Sequence, residues 1–161
     1  MKAVRPMTHE QRAKIQMYIK NKMDISALLD GYQLRNEDLS YSIISRFNRV
    51  SENISNTNFS NSVIGEDNFI CNLSGCNFMG SNFSRVKFLG IIWLRRCNLT
   101  NSNFYGAWMP GVELNGSDIT NMKMCDAFIR LGVKNWFGVV GRPYRAETLE
   151  GLTELQSQYL T

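Results

Sequence analysis

The sequence has few of the residues that usually mark an active site or a membrane segment. It contains one histidine, His9, and its four cysteines form no Cys-x-x-Cys pair, which gives a zinc site little support. The longest apolar run extends from Phe88 to Leu94 and is interrupted by Gly90, far too short to span a bilayer. The first residues lack the apolar stretch of a secretion signal. We therefore expect a cytoplasmic protein without a membrane segment, in which the cysteines are buried, reduced thiols.

The sequence also lacks a recognisable catalytic constellation. His9 falls in a predicted surface helix, no glycine-rich phosphate loop links a strand to a helix, and no base accompanies a candidate nucleophile. Hydroxyls such as Ser81 and Ser102 are predicted to face inward, whereas the acids Glu113 and Asp118 are predicted to be outward and solvated. We therefore predict that the chain is not an enzyme, that it has no catalytic, cofactor-binding or metal-binding residues, and that it uses neither cofactor nor small-molecule substrate.

Composition and charge indicate one globular domain of nearly neutral character. The 161 residues are 43% apolar and 20% charged, which is enough to bury a core. The net charge is +4, but residues 1–30 carry six Lys and Arg against three acids, whereas residues 31–131 carry nine against eight. The positive charge is therefore a feature of the N-terminus.

A large apolar residue recurs about every five positions through the middle of the chain. A small residue usually precedes this central residue by two, Asn or Asp often lies between them, and Gly or Asn often follows the central residue by two. The central residues are Phe59, Ile64, Phe69, Leu73, Phe78, Phe83, Phe88, Leu94, Leu99, Phe104, Met109, Leu114, Ile119, Met124 and Ile129. A period of five fits neither a helix nor a flat strand.

This period has a mechanical explanation. In an extended segment alternate side chains share a face, so the small and the central residue point inward and the Asn between them points outward. Gly and Asn then supply the positive φ that a tight turn requires. Five residues make one side and one corner, so about twenty residues close a square coil, and coils would stack at the strand spacing of roughly 4.8 Å.

Several phrases make the sequence resemble the pentapeptide-repeat family. They include Thr57-Asn-Phe-Ser-Asn61, Cys71-Asn-Leu-Ser-Gly75, Cys76-Asn-Phe-Met-Gly80, Ser81-Asn-Phe-Ser-Arg85, Cys97-Asn-Leu-Thr-Asn101 and Ser102-Asn-Phe-Tyr-Gly106, with weaker copies from Tyr32 to Tyr41. The resemblance covers about residues 32–131 and implies a mainly β protein, a right-handed quadrilateral β-helix solenoid. The repeat departs from phase at 45–53, between Phe69 and Leu73, and between Phe88 and Leu94, where we expect bulges or loops.

The two ends of the chain are predicted to be helical caps. Residues 1–30 form an N-terminal cap with a helix over 8–22, in which Thr8 and Gln11 make a capping box. Its apolar face comprises Ile15, Tyr18, Ile19 and Met23, and a short turn around Ile25–Leu29 leads into the repeat. Residues 31–131 form the β-helix. Residues 132–161 form an irregular segment and a helix, which serve either as a C-terminal cap or in oligomerisation.

The outward positions group into four ladders along the stacked coils. Two ladders are polar: Asn58, Asn77, Asn98 and Asp118; and Val63, Asn82, Asn103 and Lys123. The third comprises Asn53, Asn72, Trp93 and Glu113, and the fourth comprises Asn68, Lys87, Trp108 and Phe128. Outward tryptophans beside Arg and Lys are typical of the centre of a protein interface. The predicted partner-binding residues are Lys87, Trp93, Arg95, Arg96, Trp108 and Phe128; alternatively, the segment 132–161, with Trp136 and Phe137, folds back over them.

We therefore predict a non-enzymatic scaffold that mediates protein–protein interaction or assembly through this outward aromatic and basic patch. One alternative is that it is a structural component of a larger assembly, such as a viral one. The resemblance implies an alternative, because some pentapeptide-repeat proteins mimic duplex DNA and bind gyrase. That role requires an acidic rod, whereas residues 31–131 carry a net charge of +1. Direct nucleic-acid binding through the basic N-terminus is not favoured, since charges spread along one helix are commonly a solvated face.

Overall fold

The structure, a computed structural model, describes residues 4–47 and 52–129. Two helices come first, α1 (His9–Lys20) and α2 (Ser26–Leu29). Short strands follow, namely β1 (Ile43–Ile44), β2 (Val63–Asn72), β3 (Lys87–Trp93), β4 (Trp108–Met109), β5 (Val112–Glu113) and β6 (Phe128–Ile129). The segment predicted at 132–161 lies outside the described residues.

All strand pairs in residues 4–47 and 52–129 are parallel. In each pair, the two strands occupy the same position in two successive turns of the chain. The sheet has the order β1-β2-β3-β4-β6, and β5 pairs with β3. Single bridges add two further ladders, Asn53–Asn77–Asn98–Asp118 and Asp38–Asn58–Asn82–Asn103–Lys123. Along the second ladder, from Asp38 to Asn103, successive partners are 20, 24 and then 21 residues apart. We call each such turn of the chain a coil. The described part is thus mainly parallel β structure, and the predicted return after about twenty residues is confirmed.

The central residues of the repeat form one continuous core. From Leu73 to Met124 every predicted central residue is buried, and the same burial extends back to Leu34, Leu39 and Ile44. Phe83 lies in a stack of rings, with its centroid 5.1 Å from Phe59 and 4.7 Å from Phe104. The small residues two positions earlier are buried too, including Ser81 and Ser102. The inward placement predicted for these residues is confirmed.

The asparagines between the inward residues have a structural task that the sequence pattern alone does not reveal. The side-chain oxygen of each accepts a hydrogen bond from the backbone N–H two residues later, at 3.1 Å for Asn77 with Met79 and 3.1 Å for Asn98 with Thr100. Such bonds replace a backbone hydrogen bond in a tight turn. Asn77 and Asn98 are consequently half-buried rather than fully solvated.

Gly or Asn occupies most corners, as the repeat predicts. Gly75 and Gly80 have φ of +76° and +70°, and Asn101 has φ of 57°. Arg85 and Arg96 adopt the same left-handed conformation, with φ of 55° and 54°. A side chain with a Cβ is disfavoured there, so these two arginines occupy positions for which glycine or asparagine is better suited.

The prediction that Phe69 points inward is wrong. Strand β2 contains a bulge between Gly65 and Ile70, where the register with β3 shifts. Phe69 is 49% exposed, and Ile70 and Ile91 beside the bulge are exposed as well. The residues between Gly65 and Ile70 bulge out of the coil at a corner. The next buried central residue after Ile64 is therefore Leu73.

The bulge also corrects the predicted ladders for residues before it. Lys87 pairs with Val63 rather than lying above Asn68. Likewise Asn82 pairs with Asn58 instead of Val63, and Asn77 pairs with Asn53 instead of Asn58. Asn72 pairs with Trp93 as predicted, without Asn53 in that ladder. The expected loss of phase at 45–53 falls partly on residues 48–51, which lie outside the described residues; Ile44 before this segment and Ile54 after it are both buried.

Helix α1 is attached to the first coils by polar contacts and one apolar face. The Thr8 hydroxyl oxygen accepts from the Gln11 N–H at 3.1 Å, but the Gln11 side chain donates to the Leu28 carbonyl oxygen, so only half of the predicted capping box is present. Ile15 is buried, whereas Met23, predicted on the same face, is exposed and lies beyond the helix. The Arg12 guanidinium contacts the Glu37 carboxylate at 2.6 Å.

Candidate functional site

Three of the predicted partner-binding residues form a column on one side of the coils. Lys87 on β3 pairs with Trp108 on β4, which pairs with Phe128 on β6. The rings of Trp108 and Phe128 are stacked with centroids 4.1 Å apart, yet the two residues remain 45% and 46% exposed. We call Lys87, Trp108 and Phe128 the Trp108 ridge. Two stacked aromatic residues that remain in contact with water are a preformed apolar surface.

The other three predicted residues lie on the next side of the coils. The guanidinium of Arg95 lies 4.0 Å from the centroid of the Trp93 ring, a cation–π contact. Arg95 also donates from Nε to the Glu113 carboxylate at 2.8 Å, and its Nη2 pairs with the same oxygen. Trp93 pairs with Glu113 across β3 and β5. Glu113, predicted to be solvated, is therefore half-buried beside Arg95, whose guanidinium lies over the Trp93 ring.

An open cleft of about 580 Å³ lies beside Trp93 and spans three coils. We call it the Arg96 cleft, and it is lined by Asn72, Ser74, Trp93, Arg95, Arg96 and Asn115. Arg96 is exposed, and its side chain forms no ion pair with any residue that the structure describes. The cleft therefore carries a positive charge that no described carboxylate balances.

Sequence reasoning missed one exposed apolar group close to these two surfaces. Phe69, Ile70 and Ile91 are exposed at the bulged corner of β2 and β3, and the Arg46 guanidinium lies 4.6 Å from the Phe69 ring centroid. The signal that could have revealed it is the spacing of nine residues between Ile64 and Leu73, which is too short for two repeats of five.

The buried thiols are chemically protected in the folded chain. Burial raises the pKa of Cys71 to about 11, that of Cys76 to about 12 and that of Cys97 to about 11, and the thiolate is the form that reacts. We expect a thiol reagent such as Ellman's reagent at pH 8 to modify half-buried Cys125 first and the other three only on unfolding. Mass spectrometry of the modified peptides would check this, and rapid native modification of Cys76 would contradict it.

Two further properties concern the described residues alone. In residues 4–47 and 52–129, His, Cys, Asp and Glu side chains nowhere form a group of three or more that could hold a metal ion. Neither helix in this part of the chain has the length and apolar character that crossing a membrane would require.

Parallel coils with a repeated five-residue side define a repeat protein. Residues 71–91 and 94–128, about a third of the chain, match the family described as pentapeptide repeats, in eight copies. Its members are generally non-enzymatic repeat proteins. No curated protein matches the sequence.

The solved structures to which the chain is similar include three pentapeptide repeat proteins. HetL from the cyanobacterium Nostoc sp. strain PCC 7120, involved in heterocyst differentiation regulation, is 19% identical with a TM-score of 0.30, over 66% of this chain and 47% of HetL. A protein from the Arabidopsis thaliana thylakoid lumen is 14% identical with a TM-score of 0.28, over 76% of this chain and 74% of that one. Rfr23 from the cyanobacterium Cyanothece 51142 is 16% identical with a TM-score of 0.28, over 70% and 82%. This chain thus spans about half the length of HetL.

Proposed function

We propose that this protein is a non-enzymatic scaffold, a right-handed quadrilateral β-helix closed at one end by α1 and α2, that binds a protein partner through the Trp108 ridge and the adjacent Arg96 cleft. The recurrence of paired residues after 20, 21 or 24 positions supports the solenoid. Buried Ile15 and the Arg12–Glu37 ion pair support the assignment of α1 as a cap, since an uncovered sheet edge promotes aggregation.

The observation that carries the binding role is the exposed stack of Trp108 and Phe128. Elsewhere in the repeat, residues at the outward middle position are mostly polar and form turns, as Asn77, Asn98 and Asn103 do. Trp108 and Phe128 occupy that same position but contribute aromatic area that the core does not use. Aromatic anchors flanked by basic residues supply most of the energy of many protein interfaces, and here Lys87 flanks the stack.

The role is tested by replacing Trp108 with alanine. Because Trp108 is exposed, the fold should persist, while recovery of a co-purifying or chemically cross-linked partner, or self-association measured by light scattering, should fall roughly tenfold. Tyr105→Ala is the matched control, since Tyr105 is exposed to a similar extent (42%) but lies outside both surfaces. Equal recovery with the two variants, or a wild-type chain that neither self-associates nor retains a partner, would overturn the proposal.

A further inference from the structure

Arg96 occupies a corner where both neighbouring coils have glycine. The paired residues Asn77, Asn98 and Asp118 place Gly75, Arg96 and Gly116 in one column. All three have positive φ, at 76°, 54° and 71°. The Arg96 side chain extends towards Gly116, where a Cβ would lie 3.3 Å from its Cγ, while nothing lies within 4 Å of the Cβ position of Gly75. The glycines thus leave room around an arginine held in a conformation that its Cβ disfavours.

The charge in the cleft depends on Arg96. The other guanidinium, that of Arg95, is already paired with Glu113 and stacked on Trp93. None of the lining residues is acidic. Arg96 therefore presents a planar cation that can form two parallel hydrogen bonds with a carboxylate, a geometry that lysine cannot reproduce.

We propose that the Arg96 cleft binds an extended acidic peptide segment of the partner, with a carboxylate on Arg96 and an adjacent apolar side chain against Trp93. The inference rests on the proposed function and specifies the chemistry of the partner. A carboxylate complements the Arg96 guanidinium, which no described carboxylate pairs with, and the cleft, spanning three coils, is long enough for several extended residues. Trp93 already packs against Arg95 in the free chain, which reduces the ordering that binding requires.

An acidic peptide fits this surface better than a nucleic acid does. Nucleic-acid binding gains its strength from several phosphate contacts made by Lys and Arg. Residues 52–129 carry five Lys and Arg against six acids, so a long polyanion would meet repulsion as well as attraction. A short segment that places one carboxylate at Arg96 would avoid most of those acids.

The test uses the full chain and a fluorescein-labelled octapeptide of alternating glutamate and leucine, with anisotropy as the readout. Arg96→Ala should raise Kd roughly tenfold or more, and Arg96→Lys should restore only part of the affinity. Arg85→Ala is the matched control because Arg85 has φ of 55° and its Cγ lies near the Cβ position of Gly106, as Arg96 does with Gly116, but Arg85 lies outside the cleft. Its Kd should stay within about twofold of wild type, since only the distant charge is lost.

Three results would overturn the inference. They are equal losses with Arg96→Ala and Arg85→Ala, equal binding of a peptide with glutamine in place of glutamate, and tighter, strongly salt-dependent binding of a twelve-nucleotide oligothymidylate. Failure here is distinguishable from failure of the proposed function, because Trp108 does not line the cleft. If Trp108→Ala still releases the partner while the peptide does not bind, the scaffold role stands and the acidic-peptide assignment is lost.

Discussion

Phe83→Ala should lower the free energy of unfolding by about 4 kcal/mol, because it removes a buried ring and leaves a cavity. The Phe83 ring is stacked between Phe59 and Phe104, and its centroid also lies 5.4 Å from that of Phe78 and 6.0 Å from that of Phe88. Those rings belong to three successive coils, which limits how far the surroundings can collapse into the space. Urea unfolding followed by circular dichroism would measure the change.

The control for Phe83→Ala is Met79→Ala. Met79 is also an apolar residue of the repeat, but it is exposed at a corner, and surface substitutions usually change stability by about 0.5 kcal/mol or less. A loss for Phe83→Ala no greater than that for Met79→Ala would show that the aromatic column does not hold the coils together.

Gly90→Ala should cost about 3 kcal/mol or more, for two reasons that add. Gly90 has φ of +68°, a conformation that costs a residue with a Cβ roughly 1–2 kcal/mol. In addition, a Cβ at Gly90 would lie 2.3 Å from the carbonyl oxygen of Glu66 and 2.7 Å from that of Phe69. Both oxygens belong to backbone, so the bulged corner would have to move. Thermal and urea unfolding would report the loss.

Gly75→Ala separates the two contributions to that cost. Gly75 has a similar φ of +76°, but nothing lies within 4 Å of its Cβ position. The substitution should therefore cost only the conformational part, roughly 1–2 kcal/mol. If both alanine variants lose the same stability, the close approach of Gly90 to the bulge contributes nothing.

Local chemistry explains how much of the fold could be predicted from the sequence. Each five-residue side contains its own inward pair and its own turn residue, so the burial of Phe78 and Ser81 and the positive φ of Gly75 could be inferred without knowledge of the neighbouring coils. The bulge of β2 could not be placed in this way. Phe69 has the residue type of a central residue and the expected spacing from Ile64. The short interval before Leu73 signals an irregularity, but its position between Gly65 and Ile70 follows only from the pairing of Ile70 with Ile91.

Pairing between coils depends on the total number of residues in a turn of the chain, which a local pattern does not count. The ladders after Cys71 were therefore predicted with the right members, while those before it were displaced by one side. The exposure of Trp108 could be predicted, by contrast, because it depends only on the middle position of Trp108 within its own five-residue side. The contact of Arg95 with Glu113, which lie on successive coils, was not inferred, although Trp93 and Glu113 had been assigned to one ladder.

One asparagine ladder gives the stacked coils a row of aligned side-chain dipoles. The side-chain N–H group of Asn58 donates to Asp38, that of Asn82 to Asn58 and that of Asn103 to Asn82, always towards the earlier coil. The amide dipoles of the three residues are therefore aligned head to tail, and their hydrogen-bearing end meets the carboxylate of Asp38. At the opposite, oxygen-bearing end, Lys123 is the backbone partner of Asn103 on the next coil. This row of side-chain amides therefore has a dipole like that of an α-helix. An acidic residue, Asp38, lies at its positive end and a basic residue, Lys123, at its negative end.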